Sequence, residues 1–519
     1  MNELLRLAAR RDRVLVSVWL AVLVLVCYAS AAATSTLYAT EAERVKASEA
    51  INASPGIVAL YGPILDVHSE GELAMTKMTV LYAVFVAIML LFVVRRHTRL
   101  DEENGQTELL GGTAISRSAP LTAAIAFGCL VSLLLGVLIG AADAIAGLSV
   151  RGSIAFGGSW AGIGVVTTGL TAVACQLSAS SRTCAAMAST SIGVLFALRA
   201  VGDTTDASFL SWLSPFGWNT RLGAFGDTRW WVLLLYVATG AALFAVAHLL
   251  RARRDLGSGL TQARPGPATG SPRLSDAVAL AFRVHVPMLV GWTAAVAVMG
   301  LVFGAITPSF DAFDSGGVKE IIERLGGAGA FRDTLLSAVV SVAAIVVTCF
   351  AIAVVTHGGS DEHDGRTEQV LATATSRSRS FLATVAVALG GATWLLLVMG
   401  VSLALGVGND TSHSFETIVS ASPAQAPAVW TVVALSVLCF AWRSRWAGLG
   451  WAVVVAFATL GQIGQLLKLP AWVVELSPYT HAPRIPLEGF RTAPAAVLTA
   501  LAAAVLVVSW QRYRARDIG

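Results

Sequence analysis

The stretch "DEENGQTELLGGTAISRS", residues 101–118, separates two long apolar runs, and "DEHDGRTEQVLATATSRS", residues 361–378, does the same in the second half of the chain. Aligned without a gap at an offset of 260, the two agree at ten of eighteen positions. Neither can lie in a hydrocarbon layer. Each charge at mid-membrane costs about 2.5–3.5 kcal/mol, so Asp101, Glu102, Glu103, Glu108 and Arg117 together would cost on the order of 12–18 kcal/mol. Each stretch therefore reads as a polar elbow between two membrane helices, and the chain as two copies of one unit.

Hydrophobic residues make up 55% of the 519 and charged residues 13%, about half the charge fraction of a soluble domain. The class is an all-α polytopic membrane protein. The net charge of +4 is too small to point to nucleic acid. The six cysteines lie in or beside apolar runs without C-x-x-C spacing, and read as small hydrophobes rather than disulfides or metal ligands. His357 and His363 have no matching pair in the first elbow, which offers only His97, so they do not read as a metal site.

Apolar windows of membrane-spanning length fall at 14–33, 78–94, 119–140, 155–178, 183–201 and 230–250. A second set falls at 284–305, 334–356, 381–407, 427–442, 446–467 and 493–510. This predicts twelve transmembrane helices in two tandem six-helix repeats, related by a parallel pseudo-two-fold axis. The first half covers residues 1–250, with an interfacial helix at 2–13 and an elbow at 95–118. A linker rich in Gly, Pro, Ser and Arg covers 251–275, and the second half covers 276–519, with an elbow at 357–380. Residues 14–33 read as a retained helix rather than a signal peptide, because the apolar run that opens the second half has the same plan. About 23 of the 36 basic residues fall on the side of the elbows, which places the elbows and both termini in the cytoplasm.

Within the elbows, Gly105 and Gly365 permit a tight backbone turn, and "GQTELL" and "GRTEQVL" read as short helices after it. The final "SRS" of each starts the next membrane helix, with Arg117 or Arg377 at headgroup level. The acids read as solvated, since nothing in their neighbourhood signals burial. Two such elbows suit a two-fold symmetric partner. The chain has no G-x-x-x-x-G-K-[ST] and no Gly-Lys pair, hence no loop to cradle a nucleotide phosphate, and reads as a non-enzyme.

The segments "RRHTRLDEENGQTELLGGTAISR" and "GGSDEHDGRTEQVLATATSR" resemble the cytoplasmic elbow of ABC-2-type exporter permeases. With "LRAVGD" (198–203), "WLSPFGW" (212–218) and "LPAWVVELSPYTHAPRIP" (469–486), nearly the whole chain resembles the fused twelve-helix form, the tetronasin-type permeases that export polyketide antibiotics. The resemblance implies the membrane subunit of a drug or antibiotic exporter in a bacterial plasma membrane. It also implies two copies of a separately encoded ABC ATPase, which bind the ATP and magnesium. The elbows would couple to them through Asp101, Glu102, Gly105, Glu108 and Arg117 in the first half, and Asp361, Glu362, Gly365, Glu368 and Arg377 in the second. Trp19, Trp160, Trp292 and Trp394 are candidates to line a path for a small amphipathic substrate between membrane lipids and solvent. The alternative is an ion-coupled secondary transporter with two six-helix halves, which needs ionisable groups deep in the membrane.

Overall fold

Residues 2–37 contain neither glycine nor proline, the two residues that most disfavour a helix interior. In the computed structural model they form one unbroken helix, α1 (Asn2–Leu37). The structure describes residues 2–38, 40–112, 115–261, 269–271, 274, 276–307, 328–408, 414–463, 470–487 and 489–517. A helix of 36 residues is about 54 Å long, well beyond the roughly 30 Å of a hydrocarbon core. The expected separate interfacial helix at 2–13 is therefore corrected. A helix that crosses a bilayer cannot also lie flat in its headgroup layer, so the basic segment is an extension of α1.

The chain forms two compact units, Met1–Gly266 and Pro267–Gly519. The first continues with α2 (Glu70–Glu103), α3 (Ala119–Ile145), α4 (Val150–Leu177), α5 (Ser181–Thr204) and α6 (Val232–Ala252). The second contains α7 (Ala277–Ile306), α8 (Ala328–His363), α9 (Arg377–Val407), α10 (Phe415–Trp442), α11 (Leu449–Ile463) and α12 (Thr492–Ala515). Among the described residues, eleven of these are long and apolar enough to cross a membrane, and none forms a strand. The exception is α11, with 15 residues. The rest of the window expected at 446–467 falls partly outside the described residues, as does most of the segment 308–333.

Within the first unit α4 is the central helix, packed against α2, α3, α5 and α6, while α1 lies on α3. Small residues allow this: Gly157 of α4 meets the carbonyl of Gly136 on α3 where any side chain would clash. Within the second unit the neighbours are the same in order. There α10 packs against α8, α9, α11 and α12, and α7 lies on α9. The Leu-Ser-Pro-aromatic segments also behave alike. Ser214 and Ser477 are fully buried, and Phe216 and Tyr479 are each inserted in their unit's core.

The start of the expected linker is not free. Residues 251–261 fold back on the first unit, where the amides of Leu260 and Thr261 donate to the carbonyls of Gln176 and Leu177 at 3.2 and 2.8 Å.

Candidate functional site: two elbows and an apolar groove

Both elbows are built by the same backbone device. Helix α2 runs on to Glu103, Gly105 turns with φ 71°, and a short helix, Gln106–Gly111, follows. Helix α8 runs on to His363, Gly365 turns with φ 70°, and the short helix is Arg366–Leu371. This left-handed conformation costs an L-residue about 1–2 kcal/mol and glycine nothing. Ser376 caps α9 by accepting from the Arg379 amide, and α3 starts at Ala119-Pro120 with proline in its first turn. The turn, short helix and restart follow the sequence reading.

The side chains correct it. Glu102 and Glu362 are not solvated: the side chain of each is only 6% exposed. Glu102 is held in a bidentate pair by Arg254, with Nη1–Oε1 2.7 Å and Nη2–Oε2 2.8 Å. Arg99 lies 3.2 Å away and the Gly257 amide donates at 2.8 Å. Arg99, itself fully buried, also donates to the carbonyls of Cys175 and Ser258. In the second unit Glu362 pairs with Arg516. Arg254 and Arg516 each follow the last helix of their unit, so in both units a buried ion pair fastens the elbow to the end of the sixth helix. The second fastening matches as well. The Arg117 guanidinium lies 3.7 Å from Asp255, and Arg377 donates to the Arg516 carbonyl at 2.9 Å.

The sequence carries a signal for this clasp that motif reading missed. "RDLG" (254–257) and "RDIG" (516–519) stand at an offset of 262, close to the 260 that relates the elbows. Ile518 and Gly519 lie outside the described residues.

A second set of contacts ties the elbow to the first helix of each unit. Asp12, fully buried, lies 2.7 Å from His97 and 2.8 Å from Arg96. Arg11 bonds Asp101 at 2.5 Å and Gln106 at 3.1 Å. In the second unit His357, the counterpart of His97, meets the ring of His285 edge-on at 5.0 Å. Asp361 there bonds His357 at 3.0 Å and Arg366 at 2.5 Å. The alignment that pairs Trp19 with Trp292 pairs Asp12 with His285. On the short helices Glu108 and Leu109 are exposed in one elbow and Glu368 and Gln369 in the other, and Arg117 and Arg377 after them are exposed as well.

Away from the elbows the four tryptophans separate. Trp160 is fully buried against Phe156, so it fills the core of the first unit instead of lining a path. Trp19 and Trp292 are half-buried, the latter edge-on to Phe350. Trp394 is 50% exposed. It lines a shallow apolar groove of about 490 Å³ with Leu389, Gly390, Thr393, Leu397 and Trp430. The indole N–H groups of Trp394 and Trp430 donate to Thr293 and Thr393 at 3.0 and 3.1 Å, which leaves the ring faces as the apolar surface. Trp430 was not among the sequence candidates.

On the opposite end of the first unit, "LRAVGD" and the segment after it form an ion-pair cluster. Arg199, fully buried, donates to the carbonyls of Val58 and Ala59 and pairs with Asp203 at 3.3 Å. Asp203 also accepts from Ser211 at 2.6 Å and faces Arg221 at 3.7 Å. Asp143, in α3, is fully buried, and neither carboxylate oxygen has a hydrogen-bond partner among the described residues.

Over 522 aligned residues the chain is 36% identical to the multidrug efflux system permease protein Rv1217c of Mycobacterium tuberculosis (strain ATCC 25618 / H37Rv), covering 99% of this chain and 94% of that protein. This chain belongs to the multidrug efflux system permease family. Residues 274–514 of the permease match the family described as multidrug efflux system permease Rv1217c, C-terminal domain. That match spans the second unit from before α7 to the last turn of α12 and includes the elbow, Glu362 and the apolar groove. With eleven helices among the described residues long and apolar enough to cross a membrane, the permease is a multi-pass membrane protein.

Proposed function

We propose that this permease is the membrane subunit of an ATP-binding cassette exporter of the ABC-2 type. It would move amphipathic drugs or antibiotics out across a bacterial plasma membrane, powered by two copies of a separate ATPase. In this reading the two units are tandem six-helix repeats, α11 is the twelfth span, and elbows and termini face the cytoplasm. The observation that carries it is the pair of elbows. Each continues a long membrane helix, turns at a left-handed glycine and exposes a short helix with one glutamate, Glu108 or Glu368. The chain shows no phosphate-cradling loop, which in this reading leaves ATP hydrolysis to the partner. Movement of that partner would pass through the clasps to α6 and α12 and bias each unit between two packings. In this reading the shallow groove at Trp394 and Trp430 offers an apolar face to an amphipathic substrate.

Because Glu102 and Glu362 are buried, reversing them would disturb folding; the docking test belongs at the exposed positions. Glu108→Arg with Glu368→Arg is expected to abolish co-purification of the ATPase and drug-stimulated ATP hydrolysis, while the chain still inserts and elutes as a single species. Unchanged stimulation and efflux would reduce the elbows to spacers. An ion-coupled transporter is favoured by one observation, the buried carboxylate of Asp143 in the last turn of α3, which has no hydrogen-bond partner among the described residues, because a buried acid on a membrane helix is a candidate proton carrier. Efflux that stops with an uncoupler at constant ATP would select that reading.

A further inference from the structure

The end of the second unit that bears the elbow also bears arginines laid over indole rings. The Arg512 guanidinium lies 5.0 Å over the ring of Trp442, and Arg443 lies 5.4 Å over Trp446. Arg445 stands beside them in the turn between α10 and α11. All three arginines are exposed, Trp442 is 47% exposed and Trp446 37%. No acid pairs with any of the three among the described residues.

The apolar surface continues from this cluster along the helices. Val508 and Leu501 of α12 are about half exposed, as are Leu449 and Trp451 of α11. A basic rim at the end of exposed apolar helix faces lies at the level where lipid headgroups meet acyl chains.

Orientation alone does not account for the cluster, because the first unit provides an internal control. At the offsets that align the two units, Arg443 and Arg512 correspond to Ser180 and Leu250, and Trp442 and Trp446 to Ala179 and Thr183; only Arg445 has a basic counterpart, Arg182. The corresponding link in the first unit, Ser178 to Ser180 between α4 and α5, carries neither the aromatic rings nor the extra arginine.

We propose that the α10–α12 edge of the second unit binds the headgroup of an anionic phospholipid, with Arg443, Arg445 and Arg512 on its phosphates and Trp442 and Trp446 against its glycerol and first methylenes. Arginine fits this role. Its planar fork meets a phosphate with two donors, and it stays charged while stacked on an aromatic face. Three guanidinium groups on one edge favour a headgroup with two phosphates over one.

The test is native mass spectrometry of the full-length permease titrated with cardiolipin, phosphatidylglycerol or phosphatidylcholine. The wild type is expected to take up cardiolipin most tightly and phosphatidylcholine least. In Arg443→Gln/Arg512→Gln the cardiolipin affinity is expected to fall about 25-fold, roughly fivefold for each interfacial charge. Arg10→Gln/Arg253→Gln, which removes two charges from the first unit, is expected to change it less than twofold. Trp442→Leu keeps every charge and tests the ring; a partial loss is expected. It also serves if the double variant does not elute as a single species. Equal losses in the two double variants would overturn the proposal, since bulk charge would then be responsible. So would full competition by inorganic phosphate, which would mark a free-phosphate site, or loss of ATPase binding with lipid affinity unchanged, which would mark a protein contact.

Discussion

The two elbows share a backbone and differ in how they are held. In the first, Glu102 sits between two arginines and accepts an amide. In the second, Arg516 is the cation on Glu362, whose Oε1 is buried with no hydrogen-bond partner among the described residues. The cause lies one turn earlier. Where the first unit has Arg99, the second has Gly359, and the turn at Ser444–Ala447 packs against that glycine so closely that a methyl group would clash. Helix α2 also contains a π-helical turn, Arg96–Leu100, just before its elbow, whereas α8 is α-helical from Ala328 to His363. The extra residue of such a turn changes which side chains face inward, and here Arg99 is buried while Arg96 and His97 reach Asp12. One backbone shape thus carries two electrostatic solutions, and the first is the more heavily tied.

The comparison can be broken or sharpened by substitution. The largest loss is expected for Arg199→Ala at the far end of the first unit, where two buried carbonyls lose their donor and Asp203 keeps only Ser211 and the more distant Arg221. Stranding a buried ion costs about 3–5 kcal/mol, and limited proteolysis is expected to cut the first unit before the second. If the second unit is cut first, the cluster is not what holds the first together. Next come the clasps. Arg516→Ala is expected to cost about 3 kcal/mol or more because Glu362 is left buried without a cation, and Arg254→Ala about 1–2 kcal/mol less because Arg99 remains. Thermal unfolding in detergent measures both, and the reverse order would show that Arg99 does not share the load. The smallest effect belongs to the shared turn. Gly105→Ala and Gly365→Ala meet no atom within 4 Å, so each is expected to cost only about 1 kcal/mol of left-handed strain, equally in the two units. A clear inequality would mean that the elbows differ in backbone as well as in side chains.

Several features were legible because they depend on local chemistry. The position of each elbow follows from the price of charge in hydrocarbon, and the turn within it from glycine at 105 and 365. The short helices and the start of α9 at a serine cap follow from residues within one turn. The clasp was not legible as chemistry, because its partners lie 152 and 154 residues apart and nothing near Glu102 announces Arg254. Only the repeated Arg-Asp-aliphatic-Gly segments hint at it. The interfacial helix was misplaced for a different reason. Basic residues next to an apolar run suit either a surface helix or a helix that overruns the membrane, and continuity of the backbone decides between them. Trp160 shows the same limit, since an indole in a membrane helix has the same sequence signature whether it faces a path or a core.

By itself the sequence determined where the chain enters and leaves a lipid phase and where it turns, because transfer of apolar and charged groups between water and hydrocarbon is settled residue by residue. Tertiary structure alone decided which acids are buried in ion pairs and which stay exposed, and which rings are exposed. Burial and ion pairing are properties of two surfaces brought together, and the second surface comes from a distant part of the chain.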